Sequence, residues 1–505
     1  MENAIKSNDA KFIKSTLLVA VATLCSRIAG YIRDAFFAFY FGTGSVGEAF
    51  IASFRFMNLF RVMLGEGGFS SAFVPIFSKK FKSNISNAIS LSSNIQSILL
   101  LTTITLVSLS LFFIEDLVKF LTPGFVDDQC KFLLTISLSK IIFIYAVFIC
   151  LSAFYGSMLN SIGSFLPFSI TPIILNVSLI LSLYFLNTES KAHDAAYGVL
   201  ISGLIELSLL IYFMNKNMIL PKIQLPRIND EAKKVISKAF NCIISAGINQ
   251  INIWVNVMFA SSISGALSYI YYTDRLIQLP LAIIGTSAAT VLLPLLSTQK
   301  DKSNNIAINF VLFFIIPSCF ALFTFSDEIV RILLERGKFD SQSTYNTATL
   351  THVMSIALPA YALIKIFNNS FYSMGDTKTP MLISIITALI NAFSAYFGIK
   401  LFGYLGIGIA TVISSWCNLL LLSYTLRKYN INLIKGLGIK ILLYITCAFF
   451  MTVLSKFLMK TFLYYGMMVS TLSSFFIGGV FYIASTVFLL KILKNFVKKN
   501  ESTKK

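Results

Sequence analysis

Charge is scarce in this sequence. Asp, Glu, Lys and Arg make up 12% of its 505 residues, against 56% hydrophobic residues and a mean hydropathy of +0.78. A soluble chain of this length must cover its core with polar surface, and this one lacks the charge to do so. Histidine is scarcer still. His193 and His352 have no acidic or cysteine partner at ligand spacing. They read as a loop residue and a helix-face residue, and no Ser-His-Asp triad or His/Cys metal site can be assembled from them. The seven cysteines include no C-x-x-C pair and read as small apolar filler. A phosphate loop G-x-x-x-x-G-K-[ST] is also missing, since "RGKF" at 336–339 lacks the upstream glycine. No polar stretch is long enough to house a nucleotide domain. The class expected is therefore not an enzyme and carries no metal or cofactor. A substrate gradient, the membrane potential or a monovalent ion is left to drive it.

What is abundant is apolar sequence. Runs of about 20 residues, enough to cross a bilayer, recur along the whole length. They are continuous rather than alternating, which predicts helices and not a barrel. The fold class is thus an all-α polytopic membrane protein with about 14 spans. Their centres fall near residues 25, 60, 100, 145, 175, 205, 248, 280, 315, 357, 390, 416, 447 and 479. The first apolar stretch continues through Arg27 into a second apolar block, so it reads as a retained span and not as a signal peptide. With the N-terminus cytoplasmic, 25 loop Lys and Arg fall on the cytoplasmic side and 9 on the other. That asymmetry predicts both termini inside. The net charge of +19 is then mostly a positive cytoplasmic face, suited to anionic lipid heads and not to nucleic acid, because the basic residues are spread over many loops.

An internal repeat organises the spans. "FRFMNLFRVMLGEGGFSSAFVPIFS" (54–78) lies over "DRLIQLPLAIIGTSAATVLLPLLS" (274–297), matching Arg55 to Arg275. "FYGSMLNSIGSFLPFSITPIILN" (154–176) lies over "FYSMGDTKTPMLISIITALIN" (371–391) at an offset near 216. Two matches in order point to a duplicated bundle of about six helices: an N-terminal lobe at 1–220 and a C-terminal lobe at 221–430. Two further helices and a basic tail at 431–505 lie outside the repeat. Duplicated halves are the usual plan of secondary transporters, with the site between them.

Seven basic residues remain inside the spans: Arg27, Arg33, Arg55, Arg61, Lys140, Arg275 and Lys365. The acidic residues at comparable depth are Asp34, Glu48, Glu66, Glu206 and Asp274. An Arg at a helix centre costs about 2.5–3.5 kcal/mol, so four in the first two spans would cost on the order of 10 kcal/mol facing lipid. Pairing is one answer, because Arg27 with Asp34 and Glu48 with Arg55 are seven apart and share a helix face, and Asp274 adjoins Arg275. Snorkelling is another, for Arg61. Neither accounts for the positive excess in the N-terminal half. The third answer is a wet cavity built for an anion. Arg binds phosphate bidentately and stays charged, which suits a diphosphate, and an amphiphilic anion explains why the cavity belongs in a membrane. The residues lead to a transporter of a phosphorylated substrate, lipid-linked or not.

At these same residues the chain resembles the MurJ (MviN) family of lipid II flippases. "SRIAGYIRDAFFAFYFG" (26–42), "EAFIASFRFMNLFRVMLGEGGFSSAFVP" (48–75), "YYTDRLIQLP" (271–280), "RILLERGKF" (331–339) and "FYSMGDTKTP" (371–380) are similar to its successive signatures, and the resemblance runs from about residue 12 to 430. It implies the fold of the multidrug/oligosaccharidyl-lipid/polysaccharide exporter superfamily, with two six-helix lobes and two extra helices. It also implies alternating access in a bacterial cytoplasmic (inner) membrane, by a monomer whose partners are membrane lipids and lipid II, the undecaprenyl-diphosphate-linked peptidoglycan precursor. Carried over by motif, Arg27, Arg33, Arg61 and Arg275 would hold the diphosphate. Asp34, Glu48, Arg55, Glu66 and Asp274 would line the cavity or its gates. The chain departs from the family in Glu48, where Asp is common, in Met57, where proline is common, and in Gln278, which is acidic in some members.

Two other readings stay open. One is a related exporter of another polyprenyl-linked oligosaccharide; an exporter of cationic drugs would want acidic residues instead. The other is a membrane glycosyltransferase or polymerase, which needs a carboxylate base on an extracytoplasmic loop. The longest such loops, near 114–131 and 326–342, are short and carry no such pair.

Overall fold

The computed structural model describes residues 2–62, 68–296, 300–428 and 438–502, and every regular element among them is a helix. That is what lipid demands of apolar runs, since a helix satisfies its own backbone polar groups. The described chain divides into two compact units. The first comprises Met1–Ser268 with Arg336–Asp340, and the second Tyr269–Glu335 with Ser341–Lys505.

The first unit opens with α1 (Glu2–Phe41), α2 (Ser45–Phe60) and α3 (Gly68–Ser83). The long α4 (Ile85–Phe112) leads into the short α5 (Ile114–Leu121), followed by α6 (Gln129–Ser161), α7 (Leu166–Phe185), α8 (Lys191–Lys216) and α9 (Asp230–Ser261). Here α1 packs on α7, α6 on α2, α4 and α8, and α3 on α9. Phe73, Phe77, Phe154, Met158 and Met214 are buried in one cluster among α3, α4, α6, α8 and α9.

A tenth helix, α10 (Ala266–Leu296), runs into the second unit. There follow α11 (Lys300–Thr324), α12 (Ser326–Leu334), α13 (Ser341–Ser355), α14 (Leu358–Ser373), α15 (Lys378–Phe402), α16 (Leu405–Lys428), α17 (Gly438–Phe462) and α18 (Met467–Ser502). The last two form a hairpin that seats on α11, where Tyr444 and Tyr482 pack on Phe313 and the Tyr482 hydroxyl donates to the Phe313 carbonyl at 2.8 Å.

Among the described residues nine helices are long and apolar enough to cross a membrane, or ten with α13 and α14, bent by 48° at their junction, taken as one span. The span expected near 357 is thus a broken one: Ala357 sits at the break and Pro359 opens α14. The span expected near 60 takes in the end of α2 at Phe60, and residues 63–67 that follow lie outside the described ones. The helix α2 runs unbroken through Met57. The other expected centres without a qualifying helix, near 25, 248 and 280, fall on α1, α9 and α10, and two of these hold the intramembrane charges Arg27, Arg33, Asp34, Asp274 and Arg275.

The internal duplication is visible in the backbone. The helix α6 ends with Ser164 N–H on Leu159 C=O (2.9 Å) and α14 with Asp376 N–H on Phe371 C=O (3.1 Å). Both are Schellman closures through a left-handed glycine, Gly163 (φ 85°) and Gly375 (φ 79°). The shared turn sets the register at an offset of 212 residues, not the 217 that follows from matching Phe154-Tyr155 to Phe371-Tyr372. At 212 a third match appears. The stretches expected as loops fold into the amphipathic helices α5 and α12. They follow the N-cap residues Phe113 and Phe325, bury Val118 and Val330, and close i,i+4 ion pairs Lys119–Glu115 (2.9 Å) and Arg331–Asp327 (3.3 Å).

Candidate functional site

The helix α1 carries the first expected cations. Arg33 is only 6% exposed. Its Nε and one terminal nitrogen donate to Asp34 Oδ1 (3.1 and 2.8 Å), and the other terminal nitrogen donates to Asn176 Oδ1 on α7 (2.7 Å). Asn176 in turn donates from Nδ2 to the Ser26 carbonyl (3.1 Å), and the guanidinium lies 5.5 Å from the centre of the Phe37 ring. A charge that stays buried needs such partners. Pairing over seven residues suggested Arg27 as the partner of Asp34. The structure instead closes the pair between the neighbours Arg33 and Asp34. Arg27 lies on the exposed face of α1, six residues and about 9 Å along the axis from Arg33.

The first turns of α2 hold a second buried charge. Glu48 is fully buried and accepts from Lys131 Nζ on α6 (2.8 Å) and from the Leu267 N–H at the start of α10 (3.2 Å). Lys131 stands over the Phe125 ring at 4.6 Å. By sequence Lys131 reads as one of the nine loop cations of the non-cytoplasmic side. Its place one turn inside α6, behind the Asp128 cap, is what turns it into the core. Glu206, on α8, is also buried and receives the Tyr145 hydroxyl at 3.5 Å.

The remaining expected residues lie on α2 and α10. At the end of α2, Arg61 donates from Nε to Asn58 Oδ1 (2.7 Å), and Arg55 is half-buried on the same helix. Asp274 and Arg275 are half-buried on α10 in the second unit, with the Arg275 guanidinium 4.9 Å from the Tyr271 ring centre. Glu66 lies outside the described residues. His193 is not a loop residue: it sits in the first turn of α8, buried between the hydroxyls of Ser137 and Ser190, each 2.9 Å away. His352 does lie on a helix, α13, with Nδ1 2.6 Å from the Phe323 carbonyl. In the loop before α15, hydrogen bonds from the Thr379 hydroxyl and N–H hold the Asp376 carboxyl below its ordinary range.

A family model described as lipid II flippase MurJ matches residues 37–481. The chain belongs to the MurJ family. A relative from Rickettsia prowazekii (strain Madrid E), named "Probable lipid II flippase MurJ", is 33% identical over 95% of this chain and 98% of its own. One of the same name from Rhizobium meliloti (strain 1021) is 35% identical over 82% of this chain and 80% of its own. Among solved structures, a lipid II flippase MurJ in an inward closed conformation superposes with a TM-score of 0.81 at 26% identity, covering 94% of this chain and 99% of that one. An inward-facing multidrug-resistance MATE transporter of the MOP superfamily shares the fold, with a TM-score of 0.64 at 13% identity over 83% of this chain and 99% of that one. Arg33 is held by Asp34 and Asn176, Glu48 by Lys131 and Leu267, and Arg27 lies open on the helix surface.

Proposed function

We propose that this chain is a lipid II flippase, carrying the diphosphate-linked peptidoglycan precursor from the cytoplasmic to the outer leaflet of a bacterial inner membrane by alternating access. The observation that supports this most is family membership across residues 37–481. In this reading Arg27, Arg33, Arg61 and Arg275 bind the diphosphate, with Arg33 fixed in orientation by Asp34 and Asn176. Asp34, Arg55 and Asp274 tune that site, and Glu48 and Glu66 act at gates. The lobes are 1–220 and 221–430, with 431–505 as the appended pair of helices and basic tail. The protein works as a monomer, without chemistry on its substrate and without a cofactor, driven by the membrane potential or a monovalent ion. Both termini face the cytoplasm, an orientation favoured by the 25 to 9 division of loop cations.

The test is rescue of a bacterium depleted of its own lipid II flippase, using the wild type and Ala variants of the four arginines at matched membrane expression. Rescue by the wild type and failure of the variants is expected. Rescue by all five chains would keep the flippase and remove the arginine site. No rescue by a well-expressed wild type would exclude lipid II as the cargo.

A further inference from the structure

Between α8 and α9 the chain runs without helix from Met218 to Asn229 and is fastened along the start of α4. The N–H groups of Lys222 and Gln224 donate to Ser93 Oγ and Ser97 Oγ (3.0 and 3.1 Å). Asn94 accepts from the Arg227 N–H (2.7 Å) and donates to the Arg227 carbonyl (2.5 Å). Ser93, Asn94 and Ser97 are buried, which gives a role to the polar stretch "SLSSNIQS" (90–97) that opens an otherwise apolar span. Its side chains pair the backbone of the strap as a neighbouring strand would.

This fastening sends the strap's apolar residues outward. Ile223, Leu225 and Ile228 are 76%, 83% and 74% exposed, and Met218 is 86% exposed. They lie on the connection between the end of α8 and the start of α9. Next to them is a cavity of about 400 Å³ with Lys80, Asn87, Gln224 and Arg227 in its wall, together with Glu231, whose carboxylate is bonded to Lys80. The surrounding sequence is strongly basic: residues 79–82 and 216–238 hold nine Lys and Arg against Asp230 and Glu231.

We propose that this strap docks on an anionic phospholipid headgroup, with Ile223, Leu225 and Ile228 in the boundary between acyl chains and headgroups and with Arg227 and Lys80 holding the phosphodiester in the cavity. Charge and hydrophobicity both choose this occupant. A soluble phosphate would engage the two cations and leave four large apolar side chains in water, whereas a lipid accounts for both features.

The test is native mass spectrometry of the full chain, purified with phosphatidylglycerol and then delipidated stepwise. The wild type should retain phosphatidylglycerol in preference to phosphatidylcholine, and Arg227→Gln and Lys80→Gln should each weaken retention about fivefold. Ile223→Ser combined with Leu225→Ser should weaken it as well, and soluble glycerol phosphate should not compete. All these side chains are exposed or half-exposed, and a retained size-exclusion profile verifies folding. Equal retention by every variant would overturn the proposal. So would displacement by glycerol phosphate with no loss in the serine variant, which would make the cavity a site for a soluble phosphorylated ligand.

Discussion

Glu48 and Lys131 meet at 2.8 Å with both side chains buried, and the same carboxylate takes the Leu267 N–H at the start of α10. One acidic residue therefore joins α2, α6 and α10. Removing one member of a buried pair strands the other charge, at a cost of about 3–5 kcal/mol. Lys131→Met should lower the thermal midpoint of the purified protein far more than Lys119→Met, which breaks only an exposed ion pair. Adding Glu48→Gln to Lys131→Met should restore most of the loss, because both charges are gone and the amide oxygen still accepts from Leu267. A double-mutant cycle on the thermal midpoints checks this. Strict additivity would show that the pair is not coupled.

Arg33 spans two acceptors that a lysine cannot span. Its planar fork reaches Asp34 and Asn176 at once, while an ammonium is a point charge on a flexible stem. Arg33→Lys should therefore fail in the rescue assay despite keeping its charge, whereas Arg27→Lys, on the exposed face of α1, should retain function. Asn176→Leu should give an intermediate phenotype, since it removes one of the two acceptors. The readout is growth at matched membrane expression, and equal growth with Arg33→Lys would show that charge alone matters at this position.

Much of this architecture was legible because lipid writes helices directly into hydropathy. The helical class followed from residue types and spacing, and so did the singling out of Arg33 and Asp34 as charges inside an apolar run. The partners did not. Asp34 pairs with its neighbour because an arginine side chain is long enough to ignore the helical spacing rule, and Asn176 is 143 residues away. Lys131 looked like a loop cation because no local pattern reveals that one turn of helix carries it into the core beside Glu48. The helices α5 and α12 hid for a different reason. Glu115 with Asp327 and Lys119 with Arg331 keep charge but not identity, and only the common turn at Gly163 and Gly375 fixes the register that aligns them.

Asp376 gives a pH signature outside the spans. Its carboxyl is held below the ordinary range by hydrogen bonds from the Thr379 hydroxyl and N–H. A depressed carboxyl stabilises the fold while ionised, above its unfolded value of about 3.9, and loses that contribution as the pH falls through its lower folded value. The wild type should therefore protect the first turn of α15 from hydrogen exchange better than Asp376→Asn at pH 6. The gap should close as the pH is lowered through the carboxylate range. The group is partly exposed, so added salt should shrink the gap too. A gap independent of pH would assign the effect to the shape of the turn.

Gly337 closes the end of α1 from a distant part of the chain. The Lys338 N–H donates to the Phe39 carbonyl at 2.9 Å, satisfying one of the acceptors that a helix end leaves open. Gly337 precedes it at φ 58°, and a Cβ there would lie 2.4 Å from that same carbonyl oxygen. Gly337→Ala thus combines left-handed strain of about 1–2 kcal/mol with a clash that only backbone movement relieves. The Lys338 amide should exchange at least about tenfold faster in this variant, since about 1.4 kcal/mol of lost protection is one decade. Lys338→Ala keeps the amide and should leave the exchange of residue 338 within severalfold of the wild type. If both variants exchange alike, side-chain contacts of Lys338 hold the segment to α1, and the fit of Gly337 against Phe39 does not.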